Sequence, residues 1–455
     1  MSSIRSRHGA ARLGRAASLA AAAGLGLFAL AGCSTLSMDS LSLDKLNPFR
    51  EREEILPGTR VDAMTEADPL TVDADAARRG AAVPAARDSA EWSQPGGVAS
   101  NAPGNLALAS GTAGWRVKAA SGSSKKSRLS VSPIVYQGNV YVMDAGADVT
   151  AVSVTGARRW EVSLRPAFEK DDGVIGGGLA GADGRVFAAT GFGSLVALDP
   201  ASGGQQWRVE LKVPIRSAPT IAEGRIFLVT ADNRIHALST ADGSELWTYR
   251  GIPETTGLVA NASPAVSGDI VVVPYSSGEV IAFKASSGEP VWADSLTRTQ
   301  LFTSLSGINE VAARPVVDDN TVFAVSVSGR MVAVNRKTGE RLWTRNIAST
   351  QTPMVAGETV FVVSVSGQLV ALERSSGKVR WTTKLPGDAK TRWHGPVLGG
   401  GQLWLSSSTR KLVSVDAASG QVSGTQEIGH ASFISPIIAS GRLFLLLDDG
   451  TLAAI

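Results

Sequence analysis

The chain has 455 residues, 44% of them hydrophobic, with 49 glycines, 20 prolines, ten tryptophans and a single cysteine. That balance suits many short strands joined by tight turns and excludes a protein of long helices. The formal charge of +3 is unevenly placed: Arg5, Arg7, Arg12 and Arg15 stand at the start, and without them 40 basic residues face 41 acidic ones, a charge of −1. So balanced a remainder offers no basic face for nucleic acid, and one cysteine excludes a disulfide framework within the chain.

Residues 1–32 read as a secretory signal, with arginines first, an apolar run from Ala16 to Ala31, and small residues at its end. The run is short for a membrane span, which needs about 20 apolar residues. It finishes Leu30-Ala31-Gly32-Cys33, which resembles the lipobox of bacterial lipoproteins. The resemblance implies a lipid attached through the sulfur of Cys33 and, with Ser34 rather than aspartate following, the outer membrane as destination. A chance cysteine after an ordinary signal is the alternative. From 33 to 110 the chain is alanine-rich, of mixed charge and interrupted by prolines, with Phe49 and Trp92 its only aromatics. This composition predicts a largely disordered tether.

From Trp115 onward the chain repeats. Alanine, then glycine six residues later, then tryptophan ten residues later recur as Ala197/Gly203/Trp207, Ala237/Gly243/Trp247, Ala282/Gly288/Trp292, Ala333/Gly339/Trp343 and Ala371/Gly377/Trp381. Ala151/Gly156/Trp160 is one residue shorter, and Ser414/Gly420/Gly424 has glycine where tryptophan belongs. Two further strand candidates precede each copy, so a unit such as 263–292 holds four, at the 40 to 45 residue period of a propeller blade. Glycine supplies the positive φ of the last hairpin, alanine allows close approach, and tryptophan offers apolar surface to the neighbouring blade. Seven units are complete. The eighth stops at Ile455 after three strands, and an orphan fourth strand, Gly114-Trp115-Arg116-Val117, precedes the first unit. The expected fold is therefore all-β: an eight-bladed β-propeller over 111–455, closed by its N-terminal strand so that no sheet edge stays open.

Catalytic motifs are missing. His236, His394 and His430 lie in different units without metal-ligand spacing, and the chain has no Gly-x-Ser-x-Gly elbow or phosphate loop. His236 reads as a packed histidine, Asp171-Asp172 as part of a loop, and Lys125, Lys126 and Arg128 as a solvated basic turn. The units resemble those of pyrroloquinoline-quinone dehydrogenases, eight-bladed periplasmic enzymes that add a calcium site, a catalytic aspartate and often adjacent cysteines. This chain lacks such cysteines and any recognisable ligand set, so the expectation is a protein with no catalytic residues, no cofactor and no metal. A quinone-dependent oxidoreductase or a ligand-binding propeller is the alternative.

Lipobox, tether and eight short blades together resemble the BamB family, propeller lipoproteins of the outer-membrane β-barrel assembly machinery, and most of all its alphaproteobacterial branch. The resemblance covers roughly 85–455 and includes Asn105-Leu106-Ala107-Leu108, Gly177-Gly178-Leu179-Ala180, the stretch from Pro214 to Pro219, Ser263-Pro264-Ala265-Val266 and the stretch from Pro274 to Glu279. It implies a non-catalytic scaffold at the periplasmic side of the outer membrane. Its partners would be POTRA domains of the channel-forming subunit, other assembly subunits and unfolded outer-membrane proteins. The family docks through loops between blades, which here lie between Trp247 and Ser263 and between Trp292 and Pro315. The family's leucine-arginine feature falls on Leu258-Val259 and its acidic pair on Glu310 and Ala312, so the arginine and the second acid are not kept. Leu258, Val259, Leu305, Ile308, Asn309, Glu310 and Arg314 are the expected partner-binding residues, with variable surface as the other reading of both loops.

Overall fold

The computed structural model describes residues 70–109, 113–125, 127–167, 169, 175–252, 262–297 and 311–455. Eight four-stranded antiparallel sheets form a ring. Blades 1 to 7 occupy 134–163, 177–210, 220–250, 265–295, 316–345, 354–384 and 393–427. Blade 8 combines Ile437–Ala439, Arg442–Leu446 and Thr451–Ala454 with the early strand Trp115–Lys118. Innermost strands of consecutive blades touch one another and surround a central bore. Because every blade runs from inside to outside, all eight innermost strands start at the same mouth of that bore.

The second and third strands of each blade are apolar on both faces, since both are covered by neighbouring blades. In blade 3, Arg225–Val229 and Arg234–Ser239 are buried along most of their length, whereas the outer strand Glu245–Arg250 alternates with solvent. This is the pattern expected of a sheet enclosed on two sides at its middle and wet at its rim.

The repeated triplet has a direct geometric cause. Each alanine lies opposite its tryptophan in the third and fourth strands, as in Ala197↔Trp207, Ala282↔Trp292 and Ala371↔Trp381, and a bulge follows at once. On its other side, the alanine usually faces an aromatic residue of the second strand, such as Phe187 or Phe361. The two rings meet over the small side chain, with centroids 5.8 Å apart in both blades. Blade 7 exchanges the positions: Trp404 is on the second strand, Ser414 in the middle and Gly424 on the fourth. One indole is retained, and the missing tryptophan of that unit is a relocation.

The glycine serves the preceding blade. A β-carbon at Gly288 would come within 2.6 Å of Trp247, and one at Gly377 within 2.7 Å of Trp343, so the hairpin must be bare for the neighbouring indole to lie on it. Three residues before that glycine, a carbonyl accepts the indole N–H: Trp160 donates to Pro200 at 3.0 Å, Trp247 to Ala285 at 3.0 Å and Trp343 to Arg374 at 2.8 Å. Trp207 breaks the series. Its Nε1 is buried without a partner, and the equivalent carbonyl, Thr240, accepts instead from the Arg185 guanidinium at 3.3 Å.

Closure follows the same rule. Trp115 pairs with Ala454, packs against Phe444 at 5.9 Å and donates to the Val154 carbonyl of blade 1 at 3.1 Å, while Gly156 receives its ring.

The segment before the closing strand differs from the expected tether. Residues 70–109 pack against the propeller; residues 33–69 lie outside the described residues. Helix α1 (Ala74–Arg79), capped by the Asp73 carboxylate, sits on blade 6 beside a backbone bridge from Val72 to Val379. The chain then crosses the far mouth of the bore. Trp92 exchanges two backbone bonds with Val135 of blade 1 (2.9 and 2.8 Å), and Gly181 of blade 2 donates to Ser93 (2.7 Å). The Gln94 amide pairs with Ile221 of blade 3 (2.7 and 3.0 Å). Val266 of blade 4 donates to Ala99 (2.8 Å), Val317 of blade 5 to Ser100 (2.9 Å), and Leu106 to Leu398 of blade 7 (3.2 Å). Composition did not reveal this order because it comes from unpaired backbone groups on the innermost strands, which need a partner once buried.

Candidate functional site

The plug covers one mouth of the bore, and the innermost strands begin at the other. Six of the eight strands are preceded by proline and that of blade 7 contains one, Pro396; the residue before each proline, or its equivalent in blade 2, forms a ring of positions. These are Ser132, Gly178, Ala218, Ser263, Arg314, Thr352, Gly395 and Ser435. Seven are small and one is arginine. Small residues are required where eight strands converge: a β-carbon at Gly178 would lie 2.3 Å from that of Ala218.

Arg314 extends from blade 5 and donates through Nη2 to the Ser132 hydroxyl of blade 1 at 3.2 Å. Three blades separate them in either direction, so this bond spans the bore. Its Nε is buried with no partner. Burial lowers the Arg314 pKa to about 10, with no acidic neighbour to offset the loss of water, so the group remains charged at neutral pH. On the adjoining blade, the fully buried Ser263 hydroxyl also lacks a partner.

His394 precedes the ring position of blade 7 and meets Phe433 edge-on at 5.8 Å. Burial alone pushes its pKa down to about 4, and its Nε2 is unpartnered. His236, expected to be packed, is buried in blade 3 with Nδ1 2.8 Å from Glu245 Oε2. Among the described residues, no group of three or more histidines, cysteines or acids is placed to hold a metal.

Of the expected partner-binding residues, the structure places only Arg314, which points into the bore. Cys33, Leu258, Val259, Leu305, Ile308, Asn309 and Glu310 lie outside the described residues, as does Asp171-Asp172. The bore arrangement was not found from sequence. Its signal was available in the eight residues preceding the innermost strands, read as a column instead of as loop ends.

The fold is shared with solved propellers. BamB from Moraxella catarrhalis superposes with a TM-score of 0.64 at 19% identity, covering 75% of this chain and 98% of that one. A europium-containing methanol dehydrogenase gives 0.64 at 14% identity over 79% and 90%. These likenesses concern architecture alone. In sequence, the outer membrane protein assembly factor BamB of Salmonella typhimurium is 27% identical over 71% of this chain and 83% of its own length. That of Escherichia coli is 28% identical over the same shares. The family described as outer membrane protein assembly factor BamB matches residues 97–173 and 155–383. That match runs from the plug through six blades, more than half of the sequence, and the chain belongs to the BamB family.

Proposed function

We propose that this chain is a non-catalytic scaffold of the outer-membrane protein assembly machinery. It docks on POTRA domains of the channel-forming subunit and assists the folding and insertion of β-barrel proteins. Lipid on Cys33 holds it at the outer membrane with the propeller in the periplasm, and no helix among the described residues is long and apolar enough to cross a membrane. The family match carries this reading, since it spans both long interblade connections, 251–264 and 296–315.

The rim supports the same side of the ring. At the residue before the outer-strand tryptophan, blades 3, 4 and 5 expose Leu246, Val291 and Leu342, at 50%, 37% and 48%. The equivalent residues of blades 1, 2, 6 and 7 are Arg159, Gln206, Arg380 and Ser423. Apolar side chains are thus displayed on the blades that flank the two connections, where a partner would cover them.

Pull-down of purified POTRA domains by the full chain tests the assignment. Capture is expected, with loss of at least roughly tenfold in affinity for Leu258→Asp or Glu310→Arg, the scale of a disrupted interface contact. No capture by the unmodified chain, or undiminished capture by both variants, rejects it.

A further inference from the structure

We propose that Arg314, with Ser132 and Ser263, forms an oxyanion site inside the bore that takes one carboxylate or phosphate group. Filling space does not explain Arg314. The other ring positions fill theirs with Ser, Gly, Ala or Thr, and an aliphatic side chain would close the gap without bringing a charge. The guanidinium is held in place by one neutral bond, to Ser132, and its Nε is left buried and free.

No carboxylate among the described residues pairs with it. A partly buried cation whose Nε is shut off from water, with no counter-charge, is a poor stabilising device, because the loss of hydration is returned only when an anion arrives. Guanidinium geometry suits that anion, since its planar fork offers parallel N–H donors to two oxygens of a carboxylate or phosphate. Ser263 adds a second orphaned polar group at the same level on the next blade.

The plug covers the opposite mouth, so the anion enters from the end where the innermost strands begin. This site is independent of the docking assignment. Its ligand can arrive as a free ion or as an acidic side chain of a bound partner, and the two sources are distinguishable.

Thermal unfolding of the purified chain is followed at constant ionic strength with three probes: sodium phosphate, sodium acetate, and a glycine-flanked glutamate peptide compared with its glutamine counterpart. A saturable rise in Tm is expected, with the midpoint weakened at least roughly tenfold in Arg314→Gln, as for loss of a charge-assisted pair. Ser263→Ala, which removes only a hydroxyl, weakens it less and serves if the arginine variant does not fold. A response to phosphate or acetate assigns a free anion; a response confined to the glutamate peptide assigns a partner side chain. The proposal is overturned if none of the probes gives a saturable shift, or if the variants respond like the unmodified chain.

Discussion

Trp115 faces Ala454 across the closing strand pair, joining residues almost at opposite ends of the propeller sequence in the relation that Trp381 and Ala371 have within a single blade. Trp115→Ala removes an indole, its contact with Phe444 and its bond to the Val154 carbonyl together. The expected cost is about 3–5 kcal/mol, the scale of a large aromatic truncated in a packed site. Urea unfolding measures it, and deletion of 111–118 lowers stability further. A midpoint unmoved by the deletion would show that the ring does not depend on this strand.

Arg185 donates to the Thr240 carbonyl, the counterpart of the group that accepts from the indole in other blades, while Trp207 Nε1 has no partner. Arg185→Ala vacates the carbonyl, and the indole N–H is expected to take the place, relieving an unmet donor that costs on the order of 1–3 kcal/mol when buried. Stability is therefore predicted to be unchanged or higher. A fall of more than about 1 kcal/mol would mean that the arginine bond contributes more than the orphaned indole costs.

Asn101 tests the plug. It is 3% exposed, has φ of 58°, and its amide donates to the carbonyls of Pro315 at 2.9 Å and Pro264 at 3.4 Å, tying blades 5 and 4 to one side chain. Asn101→Ala loses both bonds and places alanine in the left-handed region, for an expected loss of about 2–3 kcal/mol. Asn101→Gly loses the bonds alone and is expected to recover about 1 kcal/mol of that difference. Equal stability of both variants with the unmodified chain would remove the plug from the folded unit.

His394 sets an acid limit. Its folded pKa of about 4 lies below the ordinary 6.5, so the unfolded chain binds a proton first as pH falls. Stability is fully present above about pH 6.5 and declines between 6.5 and 4, by up to about 3 kcal/mol. His394→Gln is predicted to flatten that part of the profile, which urea titrations at pH 7 and 4.5 would reveal. An identical slope in the variant would place the acid sensitivity elsewhere.

The blades and their closure were legible because the same three-residue relation recurs: an indole needs a small residue opposite it and a bare glycine on the next hairpin, and both needs fix spacing. Trp207 obeys the spacing and still lacks its hydrogen bond, since Arg185, which takes the equivalent carbonyl, lies on the second strand of the blade and outside the repeated triplet. The plug was illegible for a different reason. Residues such as Ser93, Ala99 and Ser100 contribute backbone groups, not side chains, and backbone pairing is silent in composition. Arg314 falls within the Trp292–Pro315 connection that the family resemblance marks for docking; its inward direction follows from its place before Pro315, at the start of an innermost strand.

The path of residues 70–109 also determines how the molecule bears load. Tension on the N-terminal side reaches the bridge from Val72 to Val379 on the outer strand of blade 6 before it reaches the bore. The attachments at Trp92, Gln94, Asn101 and Leu106 lie further along the same chain, so they carry force one after another instead of sharing it. Trp115–Lys118 comes last. A pulled molecule thus sheds its plug by successive steps while the ring stays shut, and extension under force is expected to show several small releases ahead of one large one.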